Sequence, residues 1–331
     1  MKASYAHYTL HFRQPAGTSR GVLTDKETYF LKLEDEDMPG VFGLGECAVF
    51  RGLSADDVPA YEDKLRELCA NISADKETDL HEFPSIRFGL ETAINDFANG
   101  CRRQPFPSDF TEGMSAIPIN GLVWMGTKEE MLHRIDDKIK AGFTTIKLKV
   151  GAIDTESELD LVRHIRKVFP PEVLTIRLDA NGGFTPDNAL QKLSDFARYG
   201  IHSIEQPIKQ GQWEAMQRIC TESPIDIALD EELIGIHTPE RMGEMLDAVR
   251  PKYIILKPSL IGGFSGSQDW IMQAARRDIG GWVTSALESN VGLNAIAQWT
   301  AQLGARMPQG LGTGALFTNN IGRPPEQAGG V

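Results

Sequence analysis

Leu174-Thr175-Ile176-Arg177-Leu178-Asp179 is the stretch that decides the architecture of this chain. It is a short apolar, β-branched run that ends on a charge, the signature of a strand buried on both faces. The same texture returns on either side of it. Residues 144–149 end in Ile-Lys-Leu-Lys, 203–205 in Glu205, 227–230 in Ile-Ala-Leu-Asp, and 253–257 in Ile-Ile-Leu-Lys. Residues 117–122 and 282–285 extend the series, and 309–312 make a weak eighth member. Between these runs lie amphipathic helical patterns at 128–140, 157–168, 186–199 and 265–277. Seven or eight successive strand-then-helix units in about 200 residues predict an α/β fold, a (β/α)7-8 TIM-like barrel of parallel strands.

Upstream the pattern differs. Residues 5–12, 28–33 and 41–50 read as strands, followed by helical patterns at 54–72, with Ser54 as N-cap, and at 85–99. The expected organisation is therefore an α+β capping domain over 1–115, the barrel over 116–307, and a Gly- and Pro-rich segment over 308–331 that returns toward the cap.

The chain has 331 residues, 34 Lys plus Arg against 46 Asp plus Glu, and a net charge of −12. Such an acidic balance argues against nucleic acid and anionic membrane surfaces as partners and favours a small-molecule substrate. Four cysteines at positions 47, 69, 101 and 220 match neither a zinc-ligand pair nor a disulfide framework. The N-terminus lacks a signal-like apolar run, and no stretch approaches the roughly 20 apolar residues of a membrane span, which predicts a cytoplasmic protein. Nothing in the sequence sets an oligomeric state.

The chemistry lies in the charges that close the strands. Lys149, Asp179, Glu205, Asp230 and Lys257 follow one another at separations of 30, 26, 25 and 27 residues, about one βα unit each. In a barrel all five side chains reach the C-terminal rim, where barrel enzymes hold their active sites. Three converging carboxylates repel one another unless a cation neutralises them. With oxygen donors and no Cys or His nearby, that cation is a hard one, Mg²⁺, with Mn²⁺ as the alternative. Lys147 and Lys149 share one face of a strand, and facing lysines are expected to lower an ammonium pKa toward neutrality, as a general base requires. Abstraction of a proton α to a carboxylate uses these parts.

Eight segments carry a family resemblance: Gly43-Leu-Gly-Glu-Cys47, Pro84-Ser-Ile-Arg-Phe-Gly-Leu-Glu91, Lys147-Leu-Lys149, Arg177-Leu-Asp-Ala-Asn181, Ile204-Glu-Gln-Pro207, Asp230-Glu-Glu232, Lys257-Pro-Ser-Leu260 and Ser285-Ala-Leu-Glu-Ser289. They resemble the enolase superfamily, within it the muconate-lactonizing subgroup, over nearly the whole chain. The resemblance implies that Asp179, Glu205 and Asp230 bind Mg²⁺, that Lys149 is the base, and that Lys257 faces it across the substrate as an ammonium. It implies supporting roles for Lys147, Arg177 and Asn181. The implied reaction is syn-dehydration of a hydroxylated cyclohexadiene carboxylate that bears a succinyl chain, a step of menaquinone biosynthesis. Alternatives are racemisation of N-succinylamino acids by the same two lysines, dipeptide epimerisation, and a non-catalytic barrel scaffold. Sugar-acid dehydratases pair the metal with a histidine, and none of the seven histidines closes a strand here. Dipeptide epimerases carry Asp-x-Asp near the eighth strand, where this chain has Gly310-Leu-Gly-Thr-Gly314.

Further candidates are Arg20 in the Gly17–Gly21 loop, Ser259, Gly262 and Gly263, whose backbone N–H groups could meet a succinyl carboxylate, and Ser285, Glu288 and Ser289 after the seventh barrel strand.

Overall fold

The structure, a computed structural model, describes residues 1–18 and 21–321. Three strands, β1 (Lys2–Thr18), β2 (Gly21–Glu34) and β3 (Phe42–Cys47), form an antiparallel sheet in the order β1-β2-β3. Helices α1 (Tyr61–Ser73) and α2 (Pro84–Ala98) cover it. Leu31, Leu33, Val49, Tyr61, Leu65, Leu68 and Ile86 form its core. Backbone lies directly on backbone where α2 crosses β3: a Cβ on Gly45 would sit 1.8 Å from the Gly89 carbonyl oxygen.

The helix expected from Ser54 starts instead at Tyr61. The polar side chains before it are spent on turns: Ser54 Oγ accepts from Phe50 N at 2.8 Å, Asp57 from Gly52 N at 2.7 Å, and Asp56 from Ser85 N at 2.8 Å. Such local bonds compete with helix formation, and Pro59 has no N–H to offer one.

The second sheet is parallel, in the order β10-β9-β8-β7-β6-β5-β4. Its strands are β4 (Gly121–Val123), β5 (Thr145–Lys149), β6 (Thr175–Asp179), β7 (Ile201–Glu205), β8 (Asp226–Leu229), β9 (Tyr253–Leu256) and β10 (Gly280–Val283). The helices alternate with them as α3 (Lys128–Lys140), α4 (Thr155–Arg166), α5 (Ala189–Ala197), α6 (Trp213–Glu222), α7 (Pro239–Val249), α8 (Gly263–Ala275) and α9 (Asn290–Gln302). Local signals set several starts: a capping box of Thr127 and Glu130 opens α3, Asp154 caps α4, and Thr238 followed by Pro239 opens α7.

The eighth strand expected at 309–312 is a stave of two residues. Gln309 bridges Ile119 and Gly310 bridges Thr284, both in parallel sense. Gln309 N donates to Pro118 O at 2.8 Å, Asn120 N to Gln309 O at 2.9 Å, and Gly310 N to Val283 O at 2.8 Å. These bonds close the gap between β10 and β4. Beyond them the chain returns to the cap, where Phe12 pairs with Phe317 and Arg13 N donates to Leu316 O at 2.8 Å.

Two cap glutamates fasten the cap to the barrel at helix N-termini. Glu46 of β3, fully buried, accepts from Ser289 N at 2.9 Å, Gly292 N at 2.9 Å and Ser289 Oγ at 2.5 Å at the start of α9, and from Thr28 Oγ1 at 2.9 Å on its own sheet. Glu91 of α2 accepts from Phe264 N at 2.6 Å, Ser265 N at 3.2 Å and Ser265 Oγ at the start of α8. A carboxylate satisfies the unpaired N–H groups there and complements the positive end of the helix dipole. Among the described residues no helix is long and apolar enough to cross a membrane.

Candidate active site

Parallel pairing brings the strand-closing charges together. Lys149, Asp179 and Glu205 stand side by side in register on β5, β6 and β7, while Asp230 and Lys257 directly follow β8 and β9. All lie at the C-terminal ends of their strands. Lys147 Nζ bonds Glu205 Oε2 at 2.6 Å and lies 2.8 Å from Asp179 Oδ2. Lys149 Nζ donates to Asp179 Oδ2 at 2.6 Å, and Lys257 pairs with Asp230. The two flanking lysines thus approach a row of three acids from opposite sides.

Burial works against charge throughout this row. It raises the pKa of Asp179, but the attraction of Lys147 and Lys149 outweighs it and holds that carboxyl well below the usual range. Glu205 has the opposite balance: burial, reinforced by the charges of Asp179 and Asp230, pushes it up to about 8 against Lys147 and Lys257. Burial disfavours the Lys147 ammonium, yet Asp179 and Glu205 raise its pKa; Asp230 does the same for Lys257. The expected lowering of lysine pKa values by one another is therefore overturned at these two positions, because each ammonium meets carboxylates before it meets another ammonium.

As arranged here the lysines, not a common centre, take the acids: among the described residues no three Asp, Glu, His or Cys side chains form a metal shell. Glu205 Oε1 nonetheless is buried without a hydrogen-bond partner. An orphaned carboxylate oxygen between two further carboxylates is what a hard cation satisfies.

Backbone strain sits at the same rim. Asn181 and Gln206 have φ values of 44° and 40°, and Leu287, a bulky residue, has 63°. Asn181 N donates to Asp179 Oδ1 at 3.1 Å, and its Oδ1 accepts from Lys149 Nζ. Gln206 Oε1 accepts from Asp230 N at 3.1 Å and Glu232 N at 3.3 Å, which sets the turn that presents Asp230. A cavity opens above this row, lined by Lys147, Lys149, Asn181, Lys257 and Ser285 on its polar side. Phe50 and Leu53 of the cap and Trp124 after β4 supply apolar walls. One wall of ammonium groups facing a largely apolar one suits a carboxylate on a flat carbon skeleton.

Comparison with known proteins agrees with this geometry. Residues 130–327 match the family model described as enolase C-terminal domain-like. The chain belongs to this enolase family. A curated relative, the o-succinylbenzoate synthase of Desulfotalea psychrophila, is 46% identical over 97% of this chain and 95% of its own length. A crystal structure described as MenC from the same organism superposes with a TM-score of 0.89 at 42% identity, covering all of this chain and 98% of that one. The o-succinylbenzoate synthase structure from Thermosynechococcus elongatus, described as complexed with Mg in the active site, gives a TM-score of 0.74 at 25% identity over 94% and 92% of the two chains.

Within this enolase-type frame the other expected residues fall into distinct places. Ser285 lines the cavity, held by Glu288, which accepts from Ser285 Oγ at 2.6 Å, Ser259 Oγ at 2.5 Å and Ala286 N at 2.8 Å. Glu288 and Ser259 thus brace two rim loops against each other and do not line the cavity. Ser289 is buried under Glu46. Gly262 and Gly263 begin α8 with φ values of 99° and 75°; Gly263 N donates to Pro258 O at 2.8 Å, and Glu91 takes the next two N–H groups, those of Phe264 and Ser265. Arg177 points into the barrel floor, 3.9 Å from the Trp282 ring centroid, and donates to Pro308 O at 2.7 Å. Burial brings its pKa down to about 10. It supports the two-residue stave rather than the substrate cavity. Arg20 lies outside the described residues. Sequence reading missed Gln206, although it had quoted Ile204-Glu-Gln-Pro207, and it missed Phe50, Leu53 and Trp124, whose apolar side chains carry no signal that separates a cavity wall from a core.

Proposed function

We propose that this chain is an o-succinylbenzoate synthase that dehydrates 2-succinyl-6-hydroxy-2,4-cyclohexadiene-1-carboxylate. The observation that carries this reading is the pair of rim lysines, Lys149 and Lys257, on opposite sides of three buried acids, in a chain 46% identical to a curated o-succinylbenzoate synthase. Lys149 takes the proton from the ring carbon that bears the carboxylate. The same nitrogen, now an ammonium, returns that proton to the departing hydroxyl on the same face, so water leaves and the ring becomes aromatic. Lys257 stays protonated, held so by Asp230, and stabilises the negative charge that builds on the carboxylate as the proton departs. Lys147, two residues from Lys149 on the same strand, pairs with Asp179 and Glu205 and so holds the two acids in place beside the base.

Asp179, Glu205 and Asp230 would hold Mg²⁺, with Mn²⁺ as the alternative, and the ion would supply Lewis-acid stabilisation of the carboxylate oxygens. The donor set and the orphaned Glu205 Oε1 support this assignment. A menaquinone precursor as substrate and four free cysteines support a cytoplasmic location.

An ultraviolet assay of the succinyl cyclohexadiene carboxylate with Mg²⁺ tests the reading. Turnover that disappears with EDTA and with Lys149→Ala supports it. Racemisation of N-succinylamino acids without any dehydration would overturn it.

A further inference from the structure

A succinyl-bearing substrate carries two carboxylates, and the rim lysines account for one. At the start of α8 the Glu91 carboxylate already accepts from Phe264 N and Ser265 N, and its charge disfavours a second carboxylate beside it. On the far side of Trp124 lies a second cavity of about 240 Å³, and Trp124 lines both. Its walls include Arg13, Gln14 and Ala16 of β1, Arg134 of α3, and Leu316. No acidic residue lines it among the described residues, in a chain of net charge −12.

Two features build this space. The ladder between β1 and β2 breaks between His11 and Ala16, and residues 12 and 13 pair instead with the returning segment at 316–317. Gly17 then bridges Met125 just beyond Trp124, which brings β1 alongside the rim of β4. The Arg134 guanidinium is fixed by the carbonyl oxygens of Trp124 at 3.0 Å and Met125 at 2.9 Å; the Glu130 carboxylate, which lies on the Gly126 side of it and accepts from Thr127 N at 2.8 Å, does not line the recess. Arg13 is exposed, and its guanidinium has no ion pair among the described residues. Two guanidinium groups facing an acid-free recess beside the catalytic cavity make a local positive potential that a carboxylate fits, one of them pre-oriented for a charge-assisted bond.

We propose that Arg13 and Arg134 form the subsite for the second carboxylate of a dicarboxylate substrate, with Trp124 as the wall between it and the reacting ring. This rests on the reaction assigned above for the identity of the dicarboxylate. The succinyl chain then runs from the cavity over the rim of β4 toward the break in β1.

The test is calorimetry on the Mg²⁺-loaded enzyme with o-succinylbenzoate and with 2-butanoylbenzoate, which keeps the chain but ends it in a methyl group. The wild type should prefer o-succinylbenzoate by about tenfold or more, and Arg13→Gln and Arg134→Gln should each erase most of that preference. Arg13 is exposed, so its variant tests the site without disturbing the fold, and Arg13→Lys should restore part of the preference. In turnover, KM should rise with kcat within about twofold, since the contact is made equally in ground and transition states. A preference that survives in both variants, or that the wild type lacks, overturns the subsite. Failure of the wild type to dehydrate its substrate would sink the assigned reaction, and the calorimetric comparison would still decide the subsite on its own.

Discussion

Replacing Glu46 by Gln should weaken the joint between cap and barrel more than any surface change could. The native carboxylate accepts four hydrogen bonds, three of them from Ser289 and Gly292 at the start of α9. A carboxamide keeps one acceptor oxygen and turns an N–H pair toward donors, so two bonds are lost. Hydrogen bonds to a charged group contribute about 1.5–3 kcal/mol each, and a partly buried charge at a helix end adds up to about 2 kcal/mol. Lys26 adds to the loss: its Nζ is buried without a hydrogen-bond partner, burial depresses its pKa, and Glu46 is the first charge that offsets this. Because such terms are not additive, the expected destabilisation is about 3–5 kcal/mol, the cost of leaving a buried charge without its partner. Urea unfolding followed by circular dichroism measures it, with Ser289→Ala and the double variant completing a cycle. A loss below about 1 kcal/mol, or strict additivity with Ser289→Ala, would refute the argument that this carboxylate joins the two units.

Four further outcomes are expected. Gly45→Ala should cost about 3 kcal/mol or more, read as a lower urea midpoint, because its Cβ would lie 1.8 Å from the Gly89 carbonyl oxygen and the obstacle is backbone. Gln206→Leu should weaken activation by Mg²⁺ about 10- to 100-fold in a metal titration with a small change in melting temperature, since it frees the turn that carries Asp230. Asp56, pushed up to about 6 chiefly by burial against the Ser85 bonds, has an ordinary value of 3.8, so the folded state holds its proton more tightly than the unfolded chain. Its contribution is therefore greatest at low pH and falls by up to about 3 kcal/mol as pH rises from about 4 through about 6; Asp56→Asn should flatten that slope in melts taken across the range. Lys149→Ala should lower kcat by about 10²–10⁴-fold or more while circular dichroism stays unchanged.

The barrel and its charged rim were legible because they depend on local repetition. A strand buried on both faces shows itself as an apolar run, and a charge that ends such a run every 25–30 residues marks one rim. Capping chemistry at Thr127 and Asp154 is equally local, and α3 falls where its pattern predicts. What stayed hidden depends on distant partners. Nothing near Gly262 and Gly263 in sequence reveals that Glu91, 173 residues before Phe264, fills that helix start. The eighth stave at Gln309 and Gly310 is too short to show alternation, and its bonds come from residues 118–120 and 283. The segment from Ser54 misled for a related reason: its apolar spacing is helical, while its polar side chains fold back on their own backbone.

The carboxylate of Glu46 has a consequence for synthesis. Its partners at Ser289 and Gly292 lie 243 and 246 residues downstream. At about 5–20 residues per second a ribosome needs about 10–50 s to deliver them. Throughout that interval the first sheet has left the ribosome with a glutamate that cannot be buried without its partners, so the N-terminal unit must stay open to water until α9 emerges. The domain made first is finished last, and a chaperone that shields nascent chains has its longest task at this N-terminal sheet.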